Sequence, residues 1–195
     1  MRDVYVLGIG QSKFTKQPHL TPIDMGAIAA GEAIKDAGIS ARDLQVAYGA
    51  RIENCSQTAE AVLMRFGVEK IEMHNVENAC CTGFSAVRQL YKDIALGLYD
   101  IGLAVGTESL TTSALAGGQV PTARGAFLDL IGATASSSTG MQAHALMELR
   151  GATMEDLAYS SWKNHRHAMF NPYAHYRKEM TLEDIVNSEM ITSPI

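Results

Sequence analysis

Basic charge is scarce in this sequence of 195 residues. Its 16 Lys and Arg stand against 21 Asp and Glu, for a net charge of −5. That balance gives no electrostatic hold on nucleic acid or on an anionic membrane surface, and no basic run offsets it. Long apolar runs are missing too, and none approaches the roughly 18–20 residues of a membrane-spanning helix. The opening residues, Met1-Arg2-Asp3-Val4-Tyr5-Val6, have no signal-peptide or transit-peptide character. Cysteine occurs three times, as Cys55, Cys80 and Cys81, an odd number with two adjacent. A disulfide framework is therefore not expected, and a reducing cytoplasm is the expected compartment. No CxxC pair and no His/Cys cluster has zinc spacing, so no metal is expected. Internal repeats and low-complexity linkers are lacking as well. What remains is 47% hydrophobic and 19% charged, an ordinary globular composition with enough chain for one full core.

The apolar pattern alternates short strands with helices. Residues 3–9 read as a buried first strand ended by Gly8 and Gly10. Gly8-x-Gly10-x-Ser12 is not a dinucleotide fingerprint: the third glycine is missing, and prolines follow where a helix should open. Thr21-Pro22 starts a helix over 23–37, with Thr21 as N-cap, Asp24 in its first turn and Gly38 as its stop. A second strand is expected over 43–50, a helix over 58–66, a third strand over 71–76, a helix over 81–98 and a fourth strand over 101–106. The long helix carries Phe84, Val87, Tyr91, Ile94 and Leu98 at helical spacing. The expected fold is α/β, a βαβαβαβ order giving a mostly parallel sheet covered by helices on both faces. Residues 107–139, rich in Gly, Ala, Ser and Thr, read as a loop excursion. Helices are expected over 139–149, from Thr153 to about 170, and over 182–187.

One stretch organises the rest: Val76-Glu77-Asn78-Ala79-Cys80-Cys81-Thr82-Gly83. A strand runs into it and an amphipathic helix runs out, so it reads as a strand-to-helix turn at the C-terminal sheet edge, where ligands of open α/β sheets bind. Backbone N–H groups at a helix N-terminus favour a thiolate over a thiol there. Cys80 is thus a candidate nucleophile for acyl transfer through a thioester. The residues alone leave it open against a small packed core thiol. Cys81, one position into the helix, is expected to turn about 100° away and pack inward. Cys55 reads as incidental. Glu77 and Glu108 close two strands near the same edge, as site-orienting or simply capping carboxylates. His165 and His167 do not share a helix face, and His144 with Glu148 is an isolated i, i+4 pair. No general base is named by spacing.

The run from Val76 to Gly83 resembles the nucleophile motif of thiolases, in which Asn precedes a Cys that is followed by a small residue, Ser or Thr, and Gly. That resemblance places the nucleophile at Cys80. The departure is Cys81, where the family usually has Ala or Ser. Ordered stretches along the chain are similar to the sterol-carrier-protein type of thiolase and its acetyl-CoA acetyltransferase relatives. They are Val6-Leu7-Gly8-Ile9-Gly10-Gln11-Ser12-Lys13-Phe14, Gly106-Thr107-Glu108-Ser109-Leu110, Trp162-Lys163-Asn164-His165-Arg166-His167, Asn171-Pro172-Tyr173-Ala174 and Asn187-Ser188-Glu189-Met190-Ile191.

The resemblance implies an acyl-CoA C-acyltransferase that works by Claisen condensation or thiolytic cleavage of a 3-ketoacyl-CoA, with CoA and acyl-CoA as substrates and no permanently bound cofactor. It makes residues 1–195 an incomplete thiolase N-terminal domain that includes a loop subdomain over 107–180. The C-terminal half of the fold is expected elsewhere, with the catalytic His, the second Cys and the last strand of the first half. Other readings are a non-catalytic acyl-CoA-binding subunit of a heteromeric complex and a retro-aldolase acting on a steroid-type acyl-CoA. Expected partners are a second copy, through the strand at 71–76, and a small OB-fold and zinc-ribbon subunit.

Overall fold

The computed structural model describes residues 1–53, 55–110 and 127–195. The chain divides into two compact units. The first holds residues 1–12 and 16–109, the second residues 13–15 and 110–195.

In the first unit, α1 (Pro22–Ala37) begins as the sequence predicts. Thr21 accepts from the Asp24 amide, the Asp24 carboxylate accepts from the Thr21 amide, and Gly38 closes the helix at φ 67°. A one-turn 3-10 element (Ala41–Asp43) then leads into β1 (Val46–Ala50), so the second expected strand starts three residues late. Next come α2 (Thr58–Met64), β2 (Glu72–Val76), a 3-10 turn (Ala79–Cys81), α3 (Thr82–Leu96) and β3 (Gly102–Gly106).

The described strands form one parallel sheet in the order β2-β1-β3. Val46 lies opposite both Glu72 and Gly102, and the register runs unbroken to Ala50, opposite Val76 and Gly106. β1 is central and buried along its whole length. One face packs Ala47, Leu103 and Val105 against Ala30, Val62 and Leu63 of α1 and α2. The other packs Val46, Tyr48 and Ala50 against Ala86 of α3. The expected α/β class, parallel sheet and two covered faces are therefore present.

Two expectations fail in detail. Residues 3–9 join no ladder among the described residues and are largely exposed, with Val6 at 82% and Ile9 at 75%. The Ile9 amide donates to the Asp36 carboxylate (2.9 Å), and just beyond the segment the Gln11 amide donates to Glu32 (3.1 Å). Arg2 anchors the start through the Ile94 carbonyl (2.6 Å) and an ion pair with Asp100. A cavity of about 720 Å³ is walled by this segment, β3, α1 and α3. The second difference concerns α3. Phe84, Val87 and Tyr91 of its stripe are exposed, Phe84 at 81%, while Thr82, Ala86 and Ala95 face the core and Leu90 packs against it. Small side chains let the helix lie close to the sheet.

In the second unit, most of the expected excursion, residues 111–126, lies outside the described residues. After α4 (Phe127–Leu130), α5 (Ala135–Arg150) starts four residues earlier than expected. The Ser-rich stretch that reads as loop supplies its cap: Thr134 accepts from the Ser137 amide, and the Ser137 hydroxyl receives the Thr134 amide. Thr153 and Asp156 form the expected capping box of α6 (Met154–Ala168), and Thr181 and Asp184 form that of α7 (Leu182–Val186).

Candidate active site

The site is built where β2 ends. Asn75, on β2, holds the start of α2: its Oδ1 accepts the Ala59 amide at 2.8 Å, and its Nδ2 donates to Glu60 at 2.8 Å. Gly49, opposite Asn75 on β1, has no side chain to interfere. A Cβ there would sit 2.4 Å from the Ala59 nitrogen and 2.6 Å from Asn75 Oδ1. Val76 follows, and its carbonyl accepts from the Cys55 thiol at 3.2 Å. Burial pushes that thiol upward, which keeps it protonated and a donor. Cys55 is therefore part of the scaffold beneath the turn, a role that its polar sequence context did not announce.

The turn itself is held by short contacts. The Ala79 amide donates to Glu77 at 2.6 Å, so Glu77 is a capping carboxylate. Thr82 Oγ1 accepts the Asn78 amide at 2.7 Å and donates to the Ala79 carbonyl at 2.6 Å. Asn78 Nδ2 reaches Ser85 Oγ at 2.9 Å. Ala79 sits at φ 46°, a left-handed conformation that a non-glycine residue holds only against a steric cost. These bonds supply the constraint. Thr82 is buried and central, and its i, i+4 spacing from Asn78 is the sequence signal for this lock.

Cys80 lies in the middle of the 3-10 turn and is exposed. This thiol is therefore not packed in the core of the described residues. Cys81 is also exposed, contrary to the expected inward packing. The physical reason is the extra 3-10 turn. It makes Cys81 the residue flanking α3, not a residue inside the helix. Gly83, in the first turn of α3, has no heavy atom within 4 Å of where a Cβ would project.

The start of α3 differs from those of the other long helices. α1, α5 and α6 each carry a capping box, whereas Cys81, the residue flanking α3, makes no side-chain cap bond. The first amide of α3, that of Thr82, donates to the Ala79 carbonyl, and Cys81 adds no side-chain cap to the amides that follow, beside two exposed thiols. Uncapped helix amides are the donors that stabilise developing negative charge.

Glu108 sits past the end of β3 at the same sheet edge. Its carboxylate accepts the amides of Ile52 (3.0 Å), Glu53 (3.1 Å) and Ser109 (3.2 Å), and it pairs with Arg51 at 3.4 Å. His144, His165 and His167 lie on α5 and α6 of the second unit. Among the described residues, no group of three or more His, Cys, Asp or Glu is placed to hold a metal ion. No described helix is long and apolar enough to cross a membrane.

Residues 4–191 match the family described as thiolase, N-terminal domain. The benzoylsuccinyl-CoA thiolase subunit BbsB of Thauera aromatica is 36% identical over 197 residues, covering 100% of this chain and 51% of that protein. An acetyl-CoA acetyltransferase of Methanothermobacter thermautotrophicus is 31% identical over 201 residues, covering 100% of this chain and 52% of that one. Among solved structures, the Ltp2-ChsH2(DUF35) aldolase aligns with a TM-score of 0.75 at 22% identity, over 97% of this chain and 50% of that chain. At that identity it supports the fold alone. The chain spans about half the length of the curated relatives it matches. It belongs to the thiolase family, within whose N-terminal domain the turn at Cys80 lies.

Proposed function

We propose that this chain is the nucleophile-bearing half of a thiolase-type acyl-CoA acyltransferase and that Cys80 is its acyl acceptor. The observation that carries the reading is an exposed Cys80 in a locked strand-to-helix turn whose helix is uncapped. In the first step the Cys80 thiolate attacks the carbonyl carbon of an acyl-CoA. The carbonyl oxygen takes the negative charge beside the leading amides of α3. When the tetrahedral species collapses, the bond to the CoA sulfur breaks, CoA leaves as its thiolate and picks up a proton, and Cys80 keeps the acyl group as a thioester. In the second step that thioester passes to CoA, or to the carbanion of a second acyl-CoA. The acid/base groups for that step belong to the part of the relatives this chain does not span, as the resemblance implies. CoA is thus a substrate.

Incubation with acetyl-CoA tests the reading. Mass spectrometry of the Cys80 peptide should find an acetyl adduct, lost in Cys80→Ala and retained in Cys81→Ala, with little turnover from these residues alone. An adduct confined to Cys81, or none on either thiol, refutes it.

A second reading is a subunit of a heteromeric complex. It is favoured by the word subunit in the name of the Thauera relative and by the DUF35 protein named together with the aldolase neighbour. The partner would be the small OB-fold and zinc-ribbon type. Within the homodimer reading, β2 supplies the contact, as one of the two outer strands of the described sheet. Native mass measurement of the purified assembly separates the two.

A further inference from the structure

Glu108 carries more than a solvated carboxylate at a strand end needs to. Three backbone amides and the Arg51 guanidinium converge on it within 3.0–3.4 Å. Its side chain is only 21% exposed and that of Arg51 14%. Charge-assisted bonds from donors this shielded fix geometry strongly. What they fix is the chain leaving β1, at Ile52 and Glu53. Two residues beyond Glu53 is Cys55, whose thiol donates to the Val76 carbonyl and whose own carbonyl receives the Thr58 hydroxyl at 2.9 Å. Val76 is the last residue of β2, and the nucleophile turn begins at the next residue. Glu108 therefore holds the end of β1 from the end of β3, and the Cys55 thiol, which is also bonded by the Arg51 backbone, holds the last carbonyl of β2 at the entrance of the Cys80 turn.

We propose that Glu108 is a positioning residue for the nucleophile. Its carboxylate sets the backbone at Ile52 and Glu53, and Cys55 transmits that setting to the Val76 carbonyl, and so to the seat of Cys80. The proposal rests on the reading of Cys80 as the acyl acceptor. Glu108 touches no reacting atom in this scheme. Its effect is on where the thiol stands, and misplacement of about 1 Å is enough to cost on the order of a hundredfold in rate.

The test uses the 195-residue chain with Glu108→Gln, Cys55→Ala, Cys55→Ser and the Glu108→Gln/Cys55→Ala double variant. Rates of Cys80 acetylation by acetyl-CoA and of Cys80 alkylation by iodoacetamide are read by peptide mass spectrometry, alongside thermal midpoints. Glu108→Gln and Cys55→Ala should each slow Cys80 acetylation by roughly tenfold or more. Cys55→Ser, which keeps an O–H donor for Val76, should be faster than Cys55→Ala. Because both residues act through one set of contacts, the double variant should be no slower than the worse single one. Acetylation of Glu108→Gln within about twofold of wild type overturns the proposal, as does a double variant whose losses multiply. If the wild-type chain takes no acetyl group, the acyl-acceptor reading has failed separately. The alkylation rates then decide the positioning role: slowed rates support it, unchanged rates overturn it. If Glu108→Gln does not fold, the contrast between Cys55→Ser and Cys55→Ala decides it, and equal rates overturn it.

Discussion

Replacing Gly49 by Ala adds one methyl group at the point where β1, β2 and α2 meet. Its Cβ would stand 2.4 Å from the Ala59 nitrogen, 2.6 Å from Asn75 Oδ1 and 3.0 Å from the Ala59 Cα. Two of those three atoms are backbone, so no side chain can swing clear. Ala59 is fully buried, and its amide is satisfied only while Asn75 Oδ1 stays at 2.8 Å. Overpacking a well-filled interior costs about 1–3 kcal/mol. Stranding a buried amide costs about 1–3 kcal/mol more. One backbone shift relieves both in part, which gives about 2–5 kcal/mol together. For a chain of this size that is a fall in thermal midpoint of roughly 4–20 °C. Differential scanning calorimetry of Gly49→Ala against wild type measures it. A midpoint within about 2 °C of wild type would mean that α2 is not tied to β2 through this contact, and the geometry argued for the entrance to the turn would fall with it.

Gly83→Ala should behave in the opposite way, because nothing lies within 4 Å of the added methyl. Helix propensity then makes it neutral or stabilising by up to about 1 kcal/mol in urea unfolding, and any loss of Cys80 acetylation at unchanged stability marks Gly83 as a residue that leaves room for the acyl group. Asp24, Asp156 and Asp184 are held below the usual aspartate value of 3.8, Asp24 first by the Thr21 hydroxyl and the other two first by the amides of Thr153 and Thr181. A carboxylate lowered in the fold contributes stability that is complete above its unfolded value and is lost as pH falls through its folded value. Thermal midpoints should therefore drop as pH falls below about 4, and Asp156→Asn should flatten that limb. Burial, then the bond to Asp93, pushes the Tyr48 phenol upward, and the bond to Glu72 does the same for Tyr99. In an alkaline titration followed by phenolate absorbance, Tyr48→Phe should remove one late step.

Local rules made much of this fold legible in the sequence. Thr21-Pro22 with Asp24, and Thr153 with Asp156, announce their helices because each cap is satisfied within four residues. The strand-to-helix turn at Cys80 is legible for the same reason: strand, small residues and helix are contiguous. What was not legible depends on partners far along the chain. Residues 3–9 have the composition of a buried strand, but the Ile9 amide goes to Asp36 and that of Gln11 just beyond goes to Glu32, and no pattern within the segment reveals those partners. The apolar stripe of α3 was read correctly as helical but does not show which face meets the sheet. There the close approach of the helix selects Ala86 over Phe84. Cys55 read as incidental because its partner, the Val76 carbonyl, lies 21 residues away.

The uncapped start of α3 is set by backbone, not by residue type. Capping requires an extended flanking residue, whose side chain can reach back to the amides two or three positions on. Thr21, Thr134 and Thr153 are extended, with ψ of 160°, 167° and 168°. Cys81 stands at φ −94°, ψ 6°, because the 3-10 turn runs straight into the helix. A side chain at that position points away from the leading amides whatever its chemistry. Cys81→Ser should therefore leave stability within about 0.5 kcal/mol of wild type, although serine at an extended cap is worth about 1 kcal/mol. Cys80 acetylation should persist, since no side-chain cap is added to α3. Urea unfolding and adduct mass spectrometry on the same variant read both outcomes. Stabilisation by about 1 kcal/mol accompanied by slower acetylation would show that the serine does cap the helix. The turn geometry would then not be what keeps those amides available to the substrate.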